Sequence, residues 1–337
     1  MKIAAFGEVM LRLTPPEFLL LEQTHSLRLD YTGTGVNIMG NLAHFGLDSY
    51  LVTTLPDNRI GDAAKANLRQ LGIHDTFIQQ NHQHMGTYFA EMGYGMRPTQ
   101  VTYQNRHSSS FGQSDETGYD FSQLLETVDM VHICGISLSL TDETRRAAQA
   151  LAKQAHQQGV KVCFDFNFRP SLNTEENKLQ LMKEQYQQIL PCCDLVFGSL
   201  RDLTDLLGLT VKEALPKEEQ EKELIQRFMR MFELEWFAGT KRKQVGAVKE
   251  LTGILYTQNQ VVESMPKTIT ILDRIGTGDA YAAGLLLGYC EAWPLSETVE
   301  FATVNAAVSH TIQGDVPLTT REQIQQIMND PTIDLIR

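Results

Sequence analysis

Short apolar runs rich in β-branched residues alternate with longer stretches of helical spacing along most of this chain. Ile3–Phe6, Ser49–Thr54, Met130–Cys134, Lys161–Asp165, Asp194–Phe197 and Gly253–Tyr256 read as strands. Between them Val36–Phe45, Ile60–Leu71, Asp142–Gln157, Leu179–Leu190 and Lys217–Phe232 read as helices. Near the C-terminus Thr268–Leu272 reads as a further strand, followed by an apolar helix over Ala280–Cys290. Strand–helix alternation predicts an α/β fold with a mostly parallel central sheet and helices on both faces. Sheets of that kind hold ligands beyond the carboxyl ends of their strands.

Two segments break the alternation. Glu8–Leu29 and Gly86–Arg106 carry β-type patterns with no helix between successive strands. Gly86–Glu91 and Gln100–Gln104 alternate well and are joined by Gly93–Thr99, which predicts a hairpin. Inserted segments of about 8–32 and 84–112 are therefore expected to form a small antiparallel β lid over the binding edge of the main sheet. Ordinary surface hairpins are the plainer alternative. No internal repeat divides the chain, and one catalytic domain is expected over residues 1–337.

The 42% hydrophobic and 21% charged residues are ordinary for a globular protein, and no apolar run is long enough to span a membrane. A net charge of −12 argues against a general nucleic-acid binder. It leaves room for a small anionic substrate, because a few local Arg and Lys residues outweigh a global balance. Glu8 interrupts the stretch where a signal peptide would need apolar residues. Of the five cysteines only Cys192 and Cys193 are adjacent, and no CxxC pattern occurs, so reduced structural thiols and a cytoplasmic location are expected.

The chemistry concentrates in Asp273-Arg274-Ile275-Gly276-Thr277-Gly278-Asp279-Ala280, a strand-to-helix turn with two glycines. Backbone N–H groups converging there, with the positive end of the following helix, make an anion site. Asp279 beside that site would repel a phosphate unless it takes a proton from the group attacking the phosphate. The bland reading makes Asp279 an N-cap. The turn is no Walker A loop, since no Gly-Lys-Ser/Thr follows, and it lies too near the C-terminus for a dinucleotide fingerprint.

The same stretch closely resembles the C-terminal signature of the ribokinase-like (PfkB) carbohydrate kinases, with Thr277 where Ala is usual. Gly33-Thr34-Gly35-Val36-Asn37, followed by Asn41-Leu42-Ala43-His44-Phe45-Gly46, resembles the Gly-rich turn and helix that meet the sugar in that family. Leu55–Gly61 resembles the next motif, with Pro56 where Gly is common. Within the family, Gly86–Phe89 with Met96–Arg106, and Asp165–Leu172, are similar to 2-keto-3-deoxygluconate kinases.

The resemblance implies a ribokinase-like fold and transfer of the ATP γ-phosphoryl group to a primary hydroxyl of a sugar acid. Asp279 would be the general base, and the amides of Gly276, Thr277 and Gly278 the anion hole. Gly33 and Asn37 would bind sugar hydroxyls, and Tyr88, Tyr103, Arg106 and Arg169 the rest of the substrate, with Arg169 on its carboxylate. Gly239, Thr240, Gly276, Gly278 and Asn305 would meet the nucleotide, with Phe237–Arg242 following a strand. Mg²⁺ is implied with ATP; Asp202 is the carboxylate near the place where relatives keep an Asn-x-x-Glu motif, here beginning with Ser199. Asp273 resembles part of a monovalent-cation site in some relatives, or serves the structure. A homo-oligomer, a dimer through the lid, is expected. The longer spacing from Tyr103 to Arg106, and Asn173 where Trp is frequent, leave open a fructokinase- or ribokinase-type enzyme for a neutral sugar. A non-catalytic sugar-acid sensor is the reading from another class.

Overall fold

The computed structural model describes residues 1–173, 178–246, 248–330 and 332. In chain order its strands are β1 (Ile3–Phe6), β2 (Met10–Thr14), β3 (Arg28–Thr32), β4 (Ser49–Leu55), β5 (Ile78–Gln80), β6 (Gly86–Glu91) and β7 (Gln100–Gln104). There follow β8 (Met130–Cys134), β9 (Lys161–Asp165), β10 (Leu195–Phe197), β11 (Trp236–Val245), β12 (Val248–Tyr256), β13 (Val261–Glu263) and β14 (Lys267–Ile269). The helices are α1 (Thr34–His44), α2 (Arg59–Gln70), α3 (Phe121–Thr127), α4 (Ile136–Ser139), α5 (Asp142–Gln158), α6 (Lys178–Ile189), α7 (Lys217–Met231), α8 (Thr277–Cys290), α9 (Leu295–Ser309) and α10 (Arg321–Asn329).

The main sheet runs β13-β12-β11-β10-β9-β8-β1-β4-β5. Every pair from β5 to β11 is parallel; β12 then runs antiparallel to β11 and pairs β13 and β14 the same way. Strand β1 shows why the sheet is covered on both faces. Ala4 and Phe6 pack into one apolar cluster with Leu151 of α5, Tyr186 of α6 and Phe228 of α7. Ile3 and Ala5 pack into the other with Ile38 of α1, Leu68 of α2, Leu285 of α8 and Phe301 of α9. A strand buried on both sides reads as a mostly apolar run, and β1, β4 and β8 are wholly buried, with Ser49, Thr53 and Thr54 of β4 and His132 of β8 as polar exceptions. The three-layer architecture is that expected of a ribokinase-like fold.

The small sheet runs β3-β2-β6-β7 and is built from the two segments that lack helices. Its outer pairs, β2/β3 and β6/β7, are antiparallel, whereas the central pair β2/β6 is parallel. The two insertions leave β1 and β5, which point the same way in the main sheet, so the first strand of each sets out in the same sense.

Three boundaries differ from the pattern-based reading. Strand β14 stops at Ile269, because past it the backbone leaves β12 and the N–H groups of Leu272 and Asp273 turn to the His310 carbonyl, at 2.8 and 3.1 Å. Helix α8 starts at Thr277, inside the glycine turn, with Gly276 at its cap. The stretch Phe237–Arg242 does not follow a strand but lies within β11, paired with β12 through Val245. The outer half of that hairpin is exposed and charged, so no apolar signal marked it.

Candidate active site

The carboxyl ends of β1, β8, β9 and β10, the middle of β11, the small sheet and the turn before α8 enclose a cleft of about 650 Å³. This is the edge where a parallel sheet leaves strand-end loops free to meet a ligand.

The turn is shaped by contacts with its surroundings. Gly276 has φ +82°, and a Cβ there would collide with the Asp315 carbonyl. Thr277 donates its hydroxyl to the Arg274 carbonyl at 3.0 Å, and Asp273 Oδ1 accepts the Ile275 N–H at 3.1 Å. The first intrahelical bond runs from the Ala280 N–H to the Gly276 carbonyl at 2.9 Å. Among the described residues the N–H groups of Gly276, Thr277 and Gly278 find no protein acceptor, as the opening of a helix leaves them. Gly278 faces open space: an added Cβ would meet nothing within 4 Å. No neighbour among the described residues requires glycine there, and Gly278 lines the cleft, so the unfilled room belongs to it.

Asp279 stands in the first turn of α8, and Asn37 Nδ2 donates to its Oδ2 at 2.6 Å. It is no N-cap, since Gly276 holds that place without a side-chain bond. Asn37 reaches Asp279 from α1, whose preceding Gly33 has φ +144° and sits against the Glu8 carbonyl. Asp279 lies deep in the cleft, partly reached by solvent yet surrounded by protein. Burial pushes its carboxyl up to about 7, against the Asn37 bond that favours the ionised form, with Asp165 raising it further and Arg169 lowering it. Asp165, at the end of β9, is likewise raised to about 7, first by burial and then, against Arg169, by Asp202. Its Oδ1 accepts the Asn167 N–H at 3.0 Å, and Asn167 reaches Thr34 Oγ1 at 3.1 Å.

The arginines differ in how far they are engaged. Arg106 is buried and bonded through Nε (3.0 Å) and Nη2 (2.7 Å) to Glu8 Oε2, and it lies 4.9 Å above the Tyr103 ring. Arg169 is exposed to the cleft and makes no ion pair among the described residues. Tyr88 lines the cleft, but its hydroxyl is committed to Asp315 Oδ2 at 2.6 Å, with Thr32 Oγ1 at 3.2 Å. Burial and the Asp315 charge hold its phenol protonated. Tyr103 is the more exposed of the two, its ring 5.8 Å from that of Tyr88.

On the other flank Gly239 and Thr240 line the cleft from β11. Asn305 does not. It is buried in α9, donating to Asn41 Oδ1 (2.7 Å) and the Ala280 carbonyl (2.8 Å) and accepting from Thr319 (2.7 Å). Its amide ties α1, α8 and the chain after α9 together behind the turn. Asp202 also lies behind the cleft wall, its Oδ2 accepting the N–H (2.7 Å) and hydroxyl (2.8 Å) of Ser199. Burial pushes its carboxyl upward.

Sequence reasoning gave several residues no role of their own. Arg242 and Arg274 both border the cleft beside the turn, and Arg242 donates to Thr277 Oγ1 at 3.1 Å. Their neighbouring positive charges make that flank suited to a polyanion. Arg242 sits two positions past Thr240 on a strand, hence on the same face, which was the available signal. Glu8, Arg12 and Asp315 gave none, because their partners are far away in sequence.

This arrangement combines a carboxylate that burial raises to about 7, amides with no protein acceptor among the described residues, and Arg169, Arg242 and Arg274 bordering the cleft, which is what proton removal and phosphoryl transfer require. The chain belongs to the pfkB family of carbohydrate kinases, whose model matches residues 1–320. It is 59% identical to a candidate 2-keto-3-deoxygluconate kinase from Enterococcus faecalis, covering 100% of this chain and 99% of that one with a TM-score of 0.98. The 2-dehydro-3-deoxygluconokinase of Thermotoga maritima is 30% identical, with coverage of 98% and 99% and a TM-score of 0.88. A 2-dehydro-3-deoxygalactonokinase of Haloferax volcanii is 24% identical over 97% of this chain and 96% of its own length.

Proposed function

We propose that this carbohydrate kinase phosphorylates the primary hydroxyl of 2-keto-3-deoxygluconate, giving 2-keto-3-deoxy-6-phosphogluconate and ADP. The carrying observation is that Asp279 and the unpaired amides of the glycine turn share one cleft with Arg169, a guanidinium without an ion partner among the described residues. Asp279 accepts the proton of the attacking hydroxyl. The new bond forms between that oxygen and the γ-phosphorus as the bond to the bridging β–γ oxygen breaks, and ADP carries away the electron pair. The amides of Gly276, Thr277 and Gly278 hold the charge that develops, at no reorganisation cost because the fold has already aimed them. Arg242, Arg274, Gly239 and Thr240 face the nucleotide phosphates, while Gly33, Asn37, Tyr103 and Arg169 face the sugar acid. Arg169 takes the substrate carboxylate, since Glu8 already occupies two donors of Arg106.

Mg²⁺ bound with ATP would supply positive charge against the phosphates. Among the described residues no three or more His, Cys, Asp or Glu side chains are grouped to hold a metal. That suits an ion that keeps waters and phosphate oxygens and takes only one or two carboxylates. Asp165, which lines the cleft and whose carboxyl burial raises, would supply such an oxygen; Asp202, behind the wall and bonded to Ser199, would reach the ion only through that wall.

The whole chain acts as one cytoplasmic catalytic domain, with the small sheet as a lid that keeps water from the phosphoryl group. Leu29 and Tyr103, exposed on that sheet, would be covered by a second copy. Sedimentation should then show a dimer that Leu29→Lys dissociates; a monomer at micromolar concentration would refute it.

A substrate panel tests the assignment. ADP release should be fastest with 2-keto-3-deoxygluconate or its galacto epimer, and Arg169→Ala should raise KM for the acids by about 10-fold or more, the value of a lost charged contact, and for fructose far less. A wild-type preference for fructose or ribose would defeat the sugar-acid reading, and tight sugar-acid binding without ADP release would favour a sensor.

A further inference from the structure

Arg12, in the middle of β2, is fully buried. Its guanidinium donates to Asp273 Oδ2 at 2.7 Å, to Asp315 Oδ1, to Thr14 Oγ1 at 3.0 Å and towards Met92 Sδ at 3.3 Å. Both carboxylates help to shape the glycine turn: Asp273 opens it, and Asp315 lies in the loop packed against it. Asp273 accepts the N–H groups of Ile275 (3.1 Å) and Gly314 (3.2 Å). Asp315 accepts the Tyr88 hydroxyl from β6, and its carbonyl packs against Gly276. One buried cation therefore joins the small sheet to both loops that shape the turn.

The family resemblance placed a monovalent-cation site at Asp273. The residues present do not fit one. Both Asp273 oxygens are already bonded, and an added ion would lie beside a guanidinium of the same charge on the same oxygen. Such an ion needs a shell of free oxygen atoms, and the two carboxylates nearest this place are committed to Arg12.

We propose that Arg12 is the resident cation of the turn, so that turnover needs no monovalent ion, and that Arg12 acts as a positioning residue coupling the lid to the anion hole. The inference rests on the kinase class, not on which acceptor is preferred, so any sugar that supports turnover serves for its test.

Turnover is measured at fixed Mg²⁺ and ionic strength, with tetramethylammonium as the only monovalent cation and again with K⁺ in its place. The two rates should agree within about twofold; activation by K⁺ of about fivefold or more, where effector coupling usually begins, would overturn the proposal. A thermal melt under the same two conditions needs no substrate. K⁺ should leave the midpoint unchanged, and a clear rise at about 100 mM K⁺, as mass action gives for a bound ion, would also overturn it. Arg12→Ala should lose at least about tenfold in kcat with little change in sugar KM, and regain part of it with added guanidinium, as expected for a preorganised charge removed and returned. A folded Arg12→Ala enzyme with full kcat would overturn the positioning role. Should that variant not fold, the two wild-type measurements decide the proposal alone.

Discussion

Asp279 shows how a single residue can be tuned by what surrounds it. An ordinary carboxylate is a weak base near neutral pH; one raised to about 7 by burial suits the general-base role proposed for it. The base works only when ionised, so kcat/KM should rise with pH up to about 7 and level above it; a profile flat from pH 5 to 8 would contradict the role. The same shift weakens the fold. A carboxyl whose folded-state value is raised keeps its proton between about pH 4 and 7 while the unfolded chain has lost it, so stability falls as pH rises through that window. Asp279→Asn should therefore be more stable than the wild type at pH 8, with the advantage shrinking towards pH 4, as melts at several pH values would show. The type and place of Asp279 were legible because glycine spacing marks a turn locally. Arg12 was not. In Met-Leu-Arg-Leu-Thr, alternation suggests that the leucines face inward, yet Met10, Arg12 and Thr14 are the buried set. Its partners Asp273 and Asp315 lie 261 and 303 positions away, beyond any local pattern.

At the scale of elements, α1 and α8 meet with their first turns at the cleft, which is how Asn37 comes to hold Asp279. Gly278 is the most informative position on either helix. Gly276 is demanded by backbone conformation and by Asp315, whereas nothing among the described residues demands Gly278. Gly278→Ala should keep or slightly raise the melting temperature, because Ala favours a helix by about 1 kcal/mol over Gly. It should still lower kcat/KM by about tenfold or more if the phosphoryl group occupies that space, as a small misplacement at a reacting centre does. Unimpaired turnover would place the phosphate elsewhere. The buried strands were readable from short runs rich in apolar and β-branched residues. The β11–β12 hairpin beyond Thr240 was not, because its strands are exposed there and their charged side chains resemble a loop. Asn305 was assigned to the nucleotide from its helix and its resemblance; the packing of α9 on α8 turns its amide to the core instead.

Across the whole molecule, the main sheet and the small sheet together border the cleft, and the cleft's charge differs from that of the chain as a whole. The chain is acidic overall, with a net charge of −12, yet the cleft presents Arg169, Arg242 and Arg274 to incoming anions. The acidic exterior disfavours polyanions such as nucleic acid, while the local cations favour a nucleotide and a sugar acid. The most direct measurement is single-turnover phosphorylation of 2-keto-3-deoxygluconate by wild-type and Asp279→Asn protein, with nucleotide affinity measured in parallel. The account predicts that ATP binding survives while the rate falls by about 10²–10⁴, the contribution of a general base. A variant that binds ATP and transfers phosphate at the wild-type rate would contradict it.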